Sequence, residues 1–280
     1  MIPIKTEKEV AAIRKSCVLA ANLLTQVVQQ IEPGISLREI DRYAAQLMKE
    51  NGARSPFLGY RGFPGHVCVS VNEEVVHGTP RDRRIQYGDI VSLDLGVIYE
   101  GWVGDTATTI AIGVVNTETQ RLMEVTEHSL YLAIDKARPG NRLSDVCHAV
   151  ESFVHANGFS VVREFVGHGV GRTLHEEPQI PNFGPPGRGP KLKPGMTLAI
   201  EPMVNLGGPG VRCLEDGWTV VAMDGRPSAH YEHTVLVGRT GPEILTIPDG
   251  KSEEITNKLK QANSIEIKWQ TKNLSGLRAP

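Results

Sequence analysis

Apolar residues recur at helical spacing in two separate stretches of the first 160 positions. One set is Leu37, Ile40, Ala44 and Met48, and the other is Leu143, Val146, Val150 and Val154. Steps of three and four place each set on one face of an α-helix. Asn51-Gly52 and Asn157-Gly158 supply stop signals, because Gly takes up the left-handed backbone that ends a helix. Ser36 and Asn141 are the candidate N-caps. The segments around these helices, PGISLREIDRYAAQLMKENGA and PGNRLSDVCHAVESFVHANGF, align at a constant offset of 106, since Pro33 matches Pro139 (139 − 33 = 106). In the same register Gly34 matches Gly140, Leu37 matches Leu143, and Gly52 matches Gly158. A second helical stretch precedes each, over about 7–31 and 117–137. An internal repeat of this kind organises the reading of the whole chain.

Each helix pair is followed by sequence that reads as strands. After the first come HVCVSVNEEVVHG, DIVSLDLGVIY and WVGDTATTIAIG. After the second come VVREFVGHGVG, MTLAIEPMVNL, WTVVAMDG and HYEHTVLVG. Helices and strands in each half predict a single α+β domain over 1–250, made of related lobes at about 1–113 and 114–250. Proline-rich sequence at 178–195 predicts a fixed loop. Residues 251–280 are polar, without a clear apolar face, and predict a surface tail.

Acidic residues break the apolar strands. Asp94 interrupts IVSLDLGVI, Glu201 interrupts LAIEPMV, and Glu232 lies in HYEHTVLV. Buried carboxylates without partners are costly, so three in three apolar strands imply a shared partner. A hairpin turn at Tyr99–Glu100 places Asp94 directly across from Asp105, where like charges repel unless a cation or a proton intervenes. No Lys or Arg stands nearby in sequence. Asp94 and Glu201 differ by 107, close to the repeat offset. His168 lies between Gly167 and Gly169, whose small size lets the backbone approach a site. His77 and His175 are further candidates, while His66, His128, His148, His155 and His230 read as surface or core histidines. Four carboxylates with one imidazole form a hard donor set suited to Mn²⁺, Fe²⁺, Co²⁺ or Zn²⁺.

Composition narrows the remaining classes. The 280 residues are 40% hydrophobic and 22% charged, with a formal charge of −2. Nothing there favours nucleic acid or an anionic membrane as partner. The first residues lack the apolar run of a secretory leader, and no stretch reaches the ~18 apolar residues of a membrane span. Four separated cysteines, Cys17, Cys68, Cys147 and Cys213, support neither a zinc finger nor a disulfide framework. A cytoplasmic protein is expected.

Taken together, GFPGHVCVSVNEEVVHG, SLDLGVIYEGWVGDTATT, FVGHGVGRTLHEEPQIPNFG, KPGMTLAIEPMV and HYEHTVLV resemble the type I methionine aminopeptidases of peptidase family M24, bacterial-type and without an N-terminal extension. The resemblance runs over about residues 3–245 and implies the pita-bread fold. It implies that Asp94, Asp105, His168, Glu201 and Glu232 hold two divalent metal ions (Co, Mn, Fe or Zn), with Asp105 and Glu232 bridging. Glu201, His175 and His77 would be catalytic, with His77 and His175 also contacting substrate. Phe57, Tyr60, Cys68, Leu174 and Trp218 would line the methionine pocket. Implied substrates are N-terminal methionyl peptides and nascent chains, with the ribosome a candidate partner and the monomer the expected state. Leu174 stands where an aromatic residue is frequent, and His230 where Gln is frequent. A proline-directed peptidase of the same fold and an inactive pita-bread binding module are the rival readings.

Overall fold

The computed structural model describes residues 1–261. Four long helices sit where the two periodic stretches and the two helical stretches before them are expected. Helix α1 (Glu7–Val28) starts at Thr6, whose hydroxyl and Glu9 close a reciprocal capping box. Helix α2 (Leu37–Glu50) starts from the same device in Ser36 and Glu39. Asn116 caps α3 (Thr117–Lys136) through the Thr119 N–H. Helix α4 (Leu143–Ala156) departs from expectation, because its cap is Arg142 rather than Asn141. Asp145 accepts from the Arg142 N–H at 2.7 Å, while the Asn141 amide donates to the Lys136 carbonyl at the end of α3. Asn141 is thus engaged by the preceding helix.

The strands are β1 (Cys68–Val71), β2 (Glu74–Val76), β3 (Ile90–Tyr99), β4 (Trp102–Ala111), β5 (Ser160–Val161), β6 (Gly167–Gly169) and β7 (Glu176–Ile180). They continue with β8 (Thr197–Ile200), β9 (Met203–Asn205), β10 (Val211–Cys213), β11 (Val220–Ala222), β12 (Ser228–His230), β13 (Glu232–Val237) and β14 (Pro242–Ile244). Strand β7 takes in the start of the expected loop at 178–195, and β10 and β14 were not foreseen. The main sheet runs β1-β3-β4-β13-β8-β6-β7, with β14 beside β13. Its pairings are antiparallel, and its order mirrors itself about the β4–β13 seam. Small sheets β10-β11-β2 and β12-β9-β5 flank it.

Alternation along the strands sorts the residues. Leu93, Leu95 and Val97 point to α1 and α2, packing with Leu23, Leu37, Ile40 and Met48. Leu198, Ile200, Val235 and Val237 pack in the core around α3 and α4. Residues of the opposite parity, Asp94 and Ala199 among them, therefore face the other side of the sheet.

The expected tail begins as structure. Residues 252–261 are helical, with Ile255 buried and Leu259 packed on the core around α3 and α4. Lys258 meets Glu127 of α3 at 2.7 Å. An apolar pair one helical turn apart is the face that the polar composition concealed. The rest of the expected tail, 262–280, lies outside the described residues.

Candidate metal and substrate site

The β3–β4 hairpin fixes two of the expected acids, in a register that differs from expectation. Gly96 pairs with Asp105 and Asp94 pairs with Ala107, so the aspartates are diagonal neighbours rather than directly opposed. The cause is the turn. It lies at Glu100–Gly101, both with positive φ, at 49° and 78°. A two-residue type I′ turn requires that backbone at both positions, and Gly101 supplies it more readily than Tyr99. Because the register moves by two, both aspartates still share one face.

From there the site assembles as a row across the sheet. Cys68 pairs with Asp94, Asp94 with Ala107, and Ala107 with Glu232. His233 pairs with Ile200, and one more step in that register sets Glu232 opposite Glu201. Asp105 lies two residues along β4 on the same face. His168 pairs with Ala199, two residues before Glu201, and joins them. The glycines beside His168 let neighbouring strands pack closely, and Gly167 itself lines the site cavity. A Cβ on Gly167 would lie 2.4 Å from the Ala199 carbonyl, and one on Gly169 2.2 Å from that of Glu177.

Ligand atoms of Asp105, His168 and Glu232 all lie within 4.8 Å of one another. His168 Nε2 is 3.4 Å from Glu201 Oε1 and 3.8 Å from Asp105 Oδ2. The His168 Nδ1 lies 3.0 Å from the Gly169 carbonyl. A carbonyl can only accept, so Nδ1 carries the hydrogen and Nε2 turns a lone pair toward two carboxylates. Asp94 Oδ1, Asp105 Oδ1 and Glu232 Oε1 are buried without a hydrogen-bond partner among the described residues. Bare acceptors meeting in one place repel each other, and a cation among them removes the conflict.

Electrostatics point the same way. Burial, and then the charge of Asp105, pushes the Asp94 carboxyl well above the carboxylate range. Burial holds Asp105 up at about 7. Glu201 and Glu232 are raised well above their ordinary value, by burial first and then by the aspartates. The imidazoles shift down. His168 falls to about 3 through burial and then His175, and His77 to about 4 through burial and then His175. Burial, and then Arg61, lowers His175. All three rings are neutral near pH 7, as ligands and hydrogen-bond donors require.

All twelve residues singled out in the sequence line one cavity of about 570 Å³. Phe57, Cys68 and Leu174 pack with Phe63 and Trp218 into an apolar wall beside the carboxylates. The Tyr60 hydroxyl lies 2.9 Å from His175 Nδ1. If that hydroxyl donates, the His175 hydrogen sits on Nε2 as a donor. Rings of His168 and His175 stand 4.3 Å apart, edge to face. His77 packs edge-on against Phe165 and Trp218.

Among the lining residues that the sequence reading did not single out, three stand beside the expected ones. Phe63 meets Trp218 at 5.2 Å between ring centroids, and Met203 also lines the cavity. The third is His230, read as a surface or core histidine. It is buried, with Nε2 3.6 Å from Glu201 Oε2. Its position two residues before Glu232, on the same strand parity, was the available signal.

Comparison with known proteins decides the family. Residues 11–239 match metallopeptidase family M24. The chain belongs to family M24. Methionine aminopeptidase 1 of Bacillus subtilis is 50% identical over 246 residues, 88% of this chain and 99% of that protein. The crystal structure of methionine aminopeptidase from Thermotoga maritima superposes with a TM-score of 0.86 at 46% identity, covering 88% of this chain and 99% of that one. Prolidase from Pyrococcus furiosus gives a TM-score of 0.71 at 26% identity, and the match spans 66% of that longer chain. The fold is the pita-bread arrangement of the M24 enzymes, and the chemistry is divalent-metal-dependent peptide hydrolysis. Among the described residues, no helix is long and apolar enough to cross a membrane.

Proposed function

We propose that this chain is a methionine aminopeptidase, removing the initiator methionine from new proteins whose second residue is small. The observation that carries the reading is one cavity in which an apolar wall of Phe57, Phe63, Cys68, Leu174 and Trp218 adjoins the carboxylate and imidazole cluster. The wall suits an unbranched thioether side chain, and the cluster suits metal.

Asp94, Asp105, His168, Glu201 and Glu232 would hold two divalent ions, Co, Mn, Fe or Zn, with Asp105 and Glu232 the most deeply buried of the four carboxylates. Bound there, the ions would lower the pKa of water toward neutrality and polarise the scissile carbonyl. Glu201 takes the proton from water and delivers it to the leaving amine. His175 donates from Nε2 to the developing oxyanion, with Tyr60 fixing its ring. His77 positions the peptide near the scissile nitrogen. The catalytic unit spans about 1–250 as two lobes, at about 1–113 and 114–250. It works as a cytoplasmic monomer on nascent chains, with the ribosome as partner.

Methionine release from Met-Ala-Ser and Met-Leu-Ser with each divalent ion tests this. Met-Ala-Ser should be cut with Co²⁺, Mn²⁺ or Fe²⁺, Met-Leu-Ser far less, and neither in chelator. Full activity in chelator, or a preference for Xaa-Pro peptides, overturns it. The prolidase resemblance makes the second outcome the specific rival, and the four retained acids and one retained histidine argue against an inactive module.

A further inference from the structure

Glu201 is bracketed by two imidazoles that meet different oxygens. His168 Nε2 lies 3.4 Å from Oε1, and His230 Nε2 lies 3.6 Å from Oε2. His230 is 2% exposed, and its Nε2 has no hydrogen-bond partner among the described residues. A buried ring nitrogen without a partner is uncommon and calls for an explanation.

The residue is held rigidly. The His230 N–H donates to Thr109 Oγ1 at 2.9 Å, and the Thr109 hydroxyl donates to the His230 carbonyl at 2.7 Å. Pairing with Met203 on β9 fixes the strand from its other side. The fold thus holds the His230 backbone beside Glu201, with the buried ring already next to the carboxylate.

The two rings are not equivalent. His168 carries its hydrogen on Nδ1 and faces Glu201 with a lone pair. If His230 also presented a lone pair, Glu201 would meet a bare acceptor on each oxygen. A hydrogen on His230 Nε2 turns one of these contacts into attraction. The 3.6 Å separation exceeds an ordinary N–H···O bond by about half an ångström, which a small rotation of the carboxylate closes.

We propose that His230, as the Nε2–H tautomer, donates to Glu201 Oε2 and fixes the carboxylate so that Oε1 alone faces the His168–Asp105 cluster. His230 is then a positioning residue that divides the two oxygens of Glu201 between separate tasks. One is held by protein, and the other is turned toward the expected metal and the reacting water. The proposal rests on the methionine aminopeptidase reading only for its kinetic readout.

Three variants and one spectrum test it. Ring-¹⁵N histidine labelling of the metal-free and zinc-loaded protein, with His230→Gln to assign the signal, should show a protonated Nε2 at His230 in both states. His230→Gln retains an N–H donor of similar reach, and should keep kcat within about threefold of wild type, whereas His230→Leu should lose about 10–100-fold in kcat at nearly constant KM. Should His230→Leu fail to fold, His230→Asn, whose shorter amide cannot reach Glu201, should show the same loss of about 10–100-fold in kcat at nearly constant KM. Metal content should stay unchanged in all three.

A proton on Nδ1 with Nε2 bare overturns the proposal. So does a glutamine variant as poor as leucine, or a rise in KM at constant kcat, which would make His230 a substrate contact. A zinc-induced shift of His230 Nε2 would make it a ligand instead, and overturns it too. Absence of methionine release by wild type would sink the proposed function and leave the tautomer result standing as the separate test.

Discussion

The first half of the chain makes its contribution with a tight hairpin, the second with strands kept apart in sequence. Strands β3 and β4 are ten residues each, joined by two turn residues, and carry Asp94 and Asp105. Their counterparts across the seam, β8 and β13, have four and six residues and are separated by residues 201–231. The helices above do not share this difference. Helices α2 and α4 keep the 106 offset at both ends (143 − 37 = 106; 156 − 50 = 106). The contrast separates support from recognition. Helices and strand order repeat, and the second half spends its extra chain on the site. That excursion delivers Met203, Trp218 and His230, and three of the four histidines lining the cavity come from the second half.

The largest expected effect tests whether the halves share the centre equally. Asp105 and Glu232, one from each half, are 3% and 2% exposed and lie in one cluster with His168. Asp105→Ala and Glu232→Ala should each lose metal, and should lower activity by more than the roughly 100-fold typical of outer contacts. Metal analysis decides it. A variant that stays fully loaded after losing either acid breaks the symmetry of the comparison.

Next come the flanking imidazoles, His77 from the first half and His175 from the second. His175→Ala should keep its metal and lose about 10²–10³ in turnover, as removal of an oxyanion donor does. Tyr60→Phe should reproduce part of that loss, because it frees the His175 ring. Metal lost from His175→Ala, with KM alone altered in the metal-replete enzyme, would reassign the residue.

A smaller effect concerns pH. Asp105 is held up at about 7, and Asp94, Glu201 and Glu232 are also raised. The metal-free fold therefore binds protons that the unfolded chain has released. The stability tied to those protons is present at low pH and is lost as pH rises through the folded value, near 7 for Asp105. Metal competes with the same protons, whereas His168, depressed to about 3, is already neutral. The rise in Tm brought by Mn²⁺ should thus grow between about pH 5.5 and 7.5. A gain that shrinks over that interval contradicts the raised carboxyls.

Much of this arrangement was legible before any coordinates. Periodicity located α2 and α4 because each buries an apolar stripe, and acids inside apolar strands located the centre because burial makes them costly. Side chains whose partners come from distant segments were harder to read. His230 is polar among apolar neighbours, yet only the pairing of β12 with β9 and the fold of β13 over β8 bring it to Glu201. Phe63 had no periodicity to mark it in its glycine- and proline-rich loop. The hairpin register failed through turn chemistry, and the parity of the strand preserved the conclusion despite that error.

The smallest effect is in the caps, where the repeat differs by one residue type. Ser36 and Arg142 occupy the same place in the 106 register, directly before α2 and α4. Ser36 contributes twice. Its hydroxyl accepts from the Glu39 N–H at 3.2 Å, and the Glu39 carboxylate accepts from the Ser36 N–H at 2.8 Å. At α4 the second contact is present, since Asp145 accepts from the Arg142 N–H, while the guanidinium, being only a donor, cannot supply the first. Ser36→Ala should therefore cost about 1 kcal/mol, read as a lower midpoint in urea unfolding, and Arg142→Ala should cost much less. Glu39→Ala and Asp145→Ala should cost similar amounts, because both remove the contact that the two helices share. Asp145 also accepts from the Gly187 N–H at 2.7 Å, so a loss at Asp145 well above that at Glu39 measures how firmly it anchors the proline-rich loop. Equal costs for Ser36→Ala and Arg142→Ala would show instead that packing of α2 and α4, and not the hydroxyl, sets where each helix begins.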